Sequence, residues 1–152
     1  MMQRTHLAIV LFFILVFVPY TSHKITFCIF AFLASLIPDV DSEFSSLGKY
    51  RIMRVLQFFT KHRGLLHSLS FCMAISFILA LFLPILAFPV FLGYAMHLLA
   101  DSITIEGVQP FWPLKRRAEG FIRTNSSIEH AIFLSFVLVN FLIILSMALK
   151  VL

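Results

Sequence analysis

The sequence predicts an all-α membrane protein with about five membrane helices, arranged as two short hairpins plus a C-terminal helix, and with an amphipathic helix on the membrane surface. Hydrophobic residues make up 61% of the chain and charged residues only 12%, whereas a soluble domain averages about 25% charged residues. The mean hydropathy is +1.00. Because the apolar residues are spread over several separate stretches of a chain of this length, we expect a single integral membrane domain over residues 1–152.

Five apolar stretches define the predicted helices. They are residues 7–20, 25–37, 69–83, 85–99 and 128–152. Only the last has the roughly 20 residues that cross a bilayer comfortably, so we expect the other four to be shallow or tilted. A short connection at residues 21–24 and a break at Pro84 group these four into two hairpins. One long kinked helix over residues 69–99 is the alternative to the second hairpin.

Two further segments are predicted to lie at the membrane surface. Residues 48–61 carry basic side chains and place four apolar side chains at the i, i+3, i+4 and i+7 positions of a helix. These four are Ile52, Val55, Leu56 and Phe59. Packing of this helix against the rest of the domain is the alternative. Phe111 and Trp112, between two prolines, are typical of an aromatic anchor at the interface.

The distribution of basic residues predicts the topology. If both hairpins form, every Lys and Arg except Lys24 and Lys150 falls on one side of the membrane. Positive charge accumulates on the cytoplasmic side, so the excess of basic residues is interpreted as topology, and no binding of nucleic acid is expected. The sequence therefore predicts a multi-pass membrane protein with its N-terminus in the cytoplasm. Tyr20 is poorly suited to a cleavage site, so we expect an uncleaved first helix.

Histidine and aspartate side chains gather at the helix ends on this cytoplasmic side. The candidate metal ligands are His6, Asp39, Asp41, His62, His67, His97 and Asp101. Glu129 and His130 are adjacent, so at most one of them can point toward a shared site. Only His23 lies on the opposite side. Ionisable groups at membrane depth indicate function by default.

Spacing refines this set. His97 and Asp101 are one helical turn apart, so their side chains share a face and can bind one ion. Asp39 and Asp41 project together only if their segment is extended. In "HRGLLHS", residues 62–68, the two histidines would diverge on a continuous helix, but a turn at Gly64 would aim both inward, His62 from the loop and His67 from the first helical turn.

The mixed nitrogen and oxygen donors suit a divalent metal, Zn first and Mn as an alternative. Such an ion can activate water toward a phosphoryl group. Arg63 would bind an anionic phosphate through its guanidinium fork.

Three motifs in order carry a resemblance to a known family. These are "PDVD" at 38–41, "HRGLLHS" at 62–68 and "HLLADSITIEGVQPFWP" at 97–113, the last including Thr104 and Gly107. The chain resembles the YdjM-like family of bacterial inner-membrane proteins, described as membrane-bound metal-dependent hydrolases. That family is in turn distantly similar to zinc-dependent phospholipase C and fungal zinc nucleases.

The resemblance implies a metal centre that hydrolyses a phosphoester. Its ligand pair would be His97 and Asp101, joined by His62 or His67 and by the N-terminal His6, and Asp39 or Asp41 would be a further ligand or the general base. The candidate catalytic residues are therefore Asp39, Asp41 and Arg63. Membrane lipids are the expected surroundings, and a phospholipid-like molecule is the expected substrate. Two other functions stay open: a metal-binding or transport protein, and a noncatalytic envelope or stress protein with a structural metal site.

Overall fold

The computed structural model describes residues 1–41 and 64–149, with the backbone alone for Val40 and Asp41. The described residues form five α-helices and no strand. The helices are α1 Gln3–Phe17, α2 Lys24–Ala34, α3 Leu69–Phe82, α4 Pro84–Ser102 and α5 Ser127–Leu149. The all-α prediction is confirmed. The surface helix predicted over residues 48–61 lies outside the described residues.

The first four helices form two antiparallel hairpins. A single-turn 3-10 helix, Val18–Tyr20, connects α1 to α2. Leu83 separates α3 from α4 with φ −142° and ψ 66°, and Pro84 then occupies the first position of α4, where its missing N–H costs nothing. Cys72 Sγ lies 3.8 Å from the carbonyl oxygen of Phe91, so the chain folds back on itself. The alternative of one kinked helix over residues 69–99 is wrong.

The central helix is α4, which packs against α1, α2 and α3. Gly93 lets α2 and α4 approach closely, because a Cβ atom at this position would lie 1.9 Å from the carbonyl oxygen of Ala31. Small residues at such crossings allow close backbone contact in membrane bundles. His97 follows Gly93 by one turn, so this contact fixes its distance from the end of α2.

The last helix, α5, lies at the edge of the bundle and runs parallel to α1. Arg4 contacts His130 near the start of both helices, and Asn140 Nδ2 donates to the carbonyl oxygen of Ala8 at 2.9 Å further along them. Only Glu129 and Asn140 of α5 are buried. Most of the other side chains of this apolar helix are exposed, while Phe136 packs against Phe12 of α1.

Three segments are long and apolar enough to cross a membrane: Gln3–Tyr20, Pro84–Ser102 and Ser127–Leu149. The prediction that only the C-terminal stretch reaches this length is wrong, because helices continue past the apolar runs that marked them. α4 extends through His97 and Asp101, whose polar side chains face each other inside the bundle. The helices α2 and α3 are short, as predicted.

Candidate metal centre

Five predicted ligands meet at one end of the bundle. They come from the start of α1, the segment after α2, the segment before α3 and the last turns of α4, and they are His6, Asp39, His67, His97 and Asp101. Their ligand atoms form two groups, one of His6, His97 and Asp101 and one of Asp39, His67 and His97. Within each group the atoms lie within 4.8 Å of one another. His97 belongs to both groups.

Asp101 lies at the centre of this cluster. Its Oδ1 is 3.2 Å from His6 Nε2, and its Oδ2 is 3.6 Å from His97 Nε2 and 3.7 Å from His67 Nε2. The contact with His97 follows from their spacing of one helical turn, as the sequence predicted. The rings of His6 and His97 are stacked, with centroids 4.1 Å apart. One buried carboxylate therefore contacts three imidazoles.

Asp39 reaches the cluster from a different direction. It lies in a 3-10 turn, Pro38–Asp41, shortly after α2, and its Oδ1 is 3.6 Å from His97 Nε2. Its side chain is 23% exposed, against 3% or less for the other four. This segment is not extended, so the condition under which the side chains of Asp39 and Asp41 would project together is not met. The Asp41 side chain, His62 and Arg63 lie outside the described residues, and their predicted roles stay predictions.

His67 is positioned by the turn that precedes α3. It ends a 3-10 turn, Leu65–His67, and so lies before the helix. The prediction that His67 lies in the first helical turn is wrong. Ser68 stops this turn, since its Oγ donates to the carbonyl oxygen of Leu65 at 2.7 Å and accepts from the backbone N–H of Phe71 at 3.2 Å. The hydroxyl of Tyr94 donates to the carbonyl oxygen of Leu66, which ties the turn to α4.

The loop after Asp101 contains the remaining residues of the third motif, and these have structural roles. Thr104 Oγ1 donates to the carbonyl oxygen of Asp101 at 2.7 Å and ends α4. Gly107 has φ +57°, a conformation that glycine adopts readily. The carbonyl oxygen of Pro110 accepts from the backbone N–H of Ser70 at 3.1 Å, which joins the loop to α3. These residues join α4, which carries His97 and Asp101, to α3, which follows His67.

Glu129 organises the N-terminal end of the site without joining either ligand group. It is fully buried, and its two oxygens accept from the backbone N–H groups of Met2 at 2.5 Å and Asn125 at 2.6 Å. The amino group of Met1 lies 3.0 Å from Asp101 Oδ1. Sequence reasoning missed this role; the signal was a lone carboxylate at the start of an apolar helix.

His130 does not join the ligand groups either. Its Nδ1 lies 2.8 Å from the carbonyl oxygen of Ser126, so Nδ1 carries the proton. Its Nε2 then accepts from the Arg4 guanidinium at 2.7 Å. Exposed His23 lies at the other end of the first hairpin, at the start of α2.

The spacing within the cluster fits a divalent ion. Separations of 3.2 to 3.7 Å mostly exceed those of hydrogen bonds. Two ligand atoms bound tetrahedrally at about 2.1 Å from one ion are about 3.4 Å apart. Both ring nitrogens of His97 are buried and have no hydrogen-bond partner in the part of the chain that the structure describes. Imidazole and carboxylate donors suit Zn or Mn.

Comparison with known proteins identifies the family. Residues 1–152 match the family described as YdjM inner membrane protein. Proteins named "Inner membrane protein YdjM" from Escherichia coli (strain K12) and Shigella flexneri are each 36% identical over 96 residues, which cover 57% of this chain and 49% of theirs. The chain thus spans about half the length of these relatives, and no solved structure matches it. Because the family match covers the whole chain, the protein belongs to the YdjM inner membrane protein family.

Proposed function

We propose that this protein is a membrane-bound, metal-dependent hydrolase that cleaves a phosphoester. The observation that carries the proposal is the environment of His97. Its Nε2 is buried, lacks a hydrogen-bond partner among the described residues and lies 3.6 Å from one carboxylate oxygen of Asp39 and one of Asp101. A buried imidazole between two carboxylates is an arrangement that a shared cation stabilises.

The ion would be held by one of the two ligand groups, with Zn as the first choice and Mn as the second. When bound, it supplies Lewis acidity toward a phosphoryl oxygen and makes water a stronger nucleophile. Each ligand group offers two imidazoles and one carboxylate, and three protein ligands leave a position for substrate in a catalytic zinc site. Asp101 orients the imidazoles of His6, His67 and His97 from within the cluster.

Asp39 is the candidate general base. It is the most exposed of the five ligands, so it is the carboxylate that solvent and substrate reach most easily. From the sequence, Asp41 shares this candidacy, and Arg63 would hold the phosphate by its bidentate fork. These two assignments rest on the motifs alone.

A phospholipid-like substrate is supported by the position of the cluster. The cluster lies where α1 begins and α4 ends, and both helices belong to candidate membrane spans. A site at the end of such helices lies near the level of lipid headgroups. We propose a multi-pass arrangement with this end in the cytoplasm, supported by the one-sided distribution of Lys and Arg.

The proposal is tested with protein reconstituted in lipid and loaded with Zn or Mn. Hydrolysis of bis(p-nitrophenyl) phosphate and of phospholipids in mixed micelles is measured for wild type, Asp39→Asn and Asp101→Asn. We expect Asp101→Asn to lose metal and activity together, and Asp39→Asn to lower kcat by about 100-fold even at metal concentrations that saturate the site. His23→Ala is the control and should keep full activity. A metal-loaded wild type that hydrolyses no phosphoester would overturn the proposal.

A noncatalytic protein with a structural metal site is the second candidate. It is favoured by the deep burial of His6, His67, His97 and Asp101, because structural metal sites are closed. Substitution with Co²⁺ separates the two cases. A visible spectrum that changes on addition of phosphate indicates an open position and supports the hydrolase, whereas an unchanged spectrum with no hydrolysis supports the structural site.

A further inference from the structure

An outward-facing groove between α1 and α5 combines apolar walls with one cation. Arg4 lies at its end, near the start of both helices, and α2 contributes a single residue to its side. The walls include Leu7, Leu11, Phe32, Phe133, Val137 and Phe141. This groove lies on the outward side of α1, away from the buried ligand groups.

Arg4 is held in place by groups that carry no charge. Its Nη2 donates to His130 Nε2, and the contact of His130 Nδ1 with a carbonyl oxygen makes that imidazole a neutral acceptor. The guanidinium also lies over the ring of Phe133, 5.2 Å from its centroid. Within the described ranges, no carboxylate forms an ion pair with Arg4. Among the described residues the exposed guanidinium therefore has no anionic partner, and it has further donors to offer.

The groove is preformed and has the length of one leaflet. Asn140 Nδ2 donates to the carbonyl oxygen of Ala8 and fixes one wall to the other, while its buried Oδ1 has no partner among the described residues. From Phe133 to Ile144 the helix rises by about 16 Å, at 1.5 Å per residue. This is roughly half of the 30 Å hydrocarbon core of a bilayer. An acyl chain entering beside Arg4 would reach about the bilayer centre.

We propose that this groove binds one anionic phospholipid, with its phosphate on the Arg4 guanidinium and one acyl chain between α1 and α5. Arginine binds phosphate through charge-assisted, bidentate hydrogen bonds. The apolar walls contact the acyl chain. Asn140 Oδ1 provides one hydrogen-bond acceptor deeper in the groove than the phosphate. The inference goes beyond the proposed hydrolase and does not depend on it, since neither Arg4 nor the groove walls belong to the ligand groups.

Native mass spectrometry of the full chain in mild detergent tests the phosphate contact. The probes are dioleoylphosphatidylglycerol and dioleoylphosphatidylcholine, which share acyl chains and differ in net charge. We expect wild type to bind one phosphatidylglycerol about tenfold more tightly than phosphatidylcholine, and Arg4→Gln to lose this preference. Arg123→Gln is the matched control, because Arg123 is exposed and outside the groove. A preference that survives Arg4→Gln, or falls equally in Arg123→Gln, would overturn the site.

A second variant tests the acyl-chain contact without touching the charge. Val137→Phe adds a ring to a half-exposed position of the wall, so it fills the groove and leaves the core packing unchanged. It should weaken binding of both lipids about tenfold and keep the preference between them. Wild-type binding of both lipids by Val137→Phe would place the chain elsewhere and refute the proposal.

Discussion

Replacing Gly93 with alanine tests how the fold sets the distance between two metal-ligand segments. The added Cβ would lie 1.9 Å from the carbonyl oxygen of Ala31. Carbon and oxygen atoms in ordinary contact are about 3.4 Å apart, so α2 and α4 must separate by roughly 1.5 Å. Because the clashing atom belongs to the backbone, no side-chain rotation relieves the contact.

Two consequences follow from this displacement. Overpacking of this kind lowers the free energy of unfolding by about 1–3 kcal/mol. The displacement also moves His97, one turn beyond Gly93, relative to Asp39, which follows α2. Metal sites tolerate changes in ligand distance of only about 0.2 Å. The affinity for Zn should therefore fall at least tenfold, that is by about 1.4 kcal/mol or more.

The assay is unfolding in mixed micelles followed by circular dichroism, together with Zn titration against a chelating indicator. Ile85→Ala is the control, since Ile85 lies on the same helix with its side chain largely exposed. It should change stability by about 0.5 kcal/mol or less and leave Zn affinity unchanged. If Gly93→Ala matched wild type in both measurements, α2 and α4 would not cross closely at Gly93 and Ala31, and the reasoning would be refuted.

Three further predictions concern topology, anchoring and capping. In a background without cysteine, Ser102→Cys should be labelled by an impermeant maleimide only from the cytoplasmic side and Ser22→Cys only from the other; labelling from the same side would contradict the hairpins. Trp112 is the only tryptophan in the chain and is 42% exposed, so brominated lipids should quench its fluorescence if it is an interfacial anchor, and unquenched emission would exclude that role. Ser68→Ala should lower the free energy of unfolding by about 1 kcal/mol in a denaturant titration, because it removes the cap of α3, and an unchanged stability would show that this cap contributes nothing.

The helical architecture could be predicted because apolar runs and their interruptions are local signals. The break at Pro84 marked the second hairpin correctly. The number of long spans was underestimated because α1 and α4 extend beyond the apolar stretches 7–20 and 85–99 into polar residues such as Asp101, which contacts His97 within the bundle. Hydropathy alone treats such residues as the end of a membrane helix, although a polar pair can be stabilised in the interior.

Part of the candidate site also followed from spacing. The separation of His97 and Asp101 by four residues on one helix predicted their contact. The backbone at Asp39 could not be predicted in the same way, because "PDVD" is compatible with an extended segment or a 3-10 turn. The interactions of Glu129 with the N-terminal backbone depend on how α5 packs beside α1, and no local pattern in the sequence encodes that packing.

The central claim is that the His and Asp cluster binds a divalent metal, and the most direct measurement is the metal content of detergent-purified protein. Elemental analysis would compare wild type with His97→Ala, and with His23→Ala as a control that leaves the cluster intact. We predict at least one Zn or Mn ion per chain in wild type and in His23→Ala, and loss of that metal in His97→Ala. A folded, monodisperse wild type that holds no metal, even after incubation with Zn and Mn, would contradict the account.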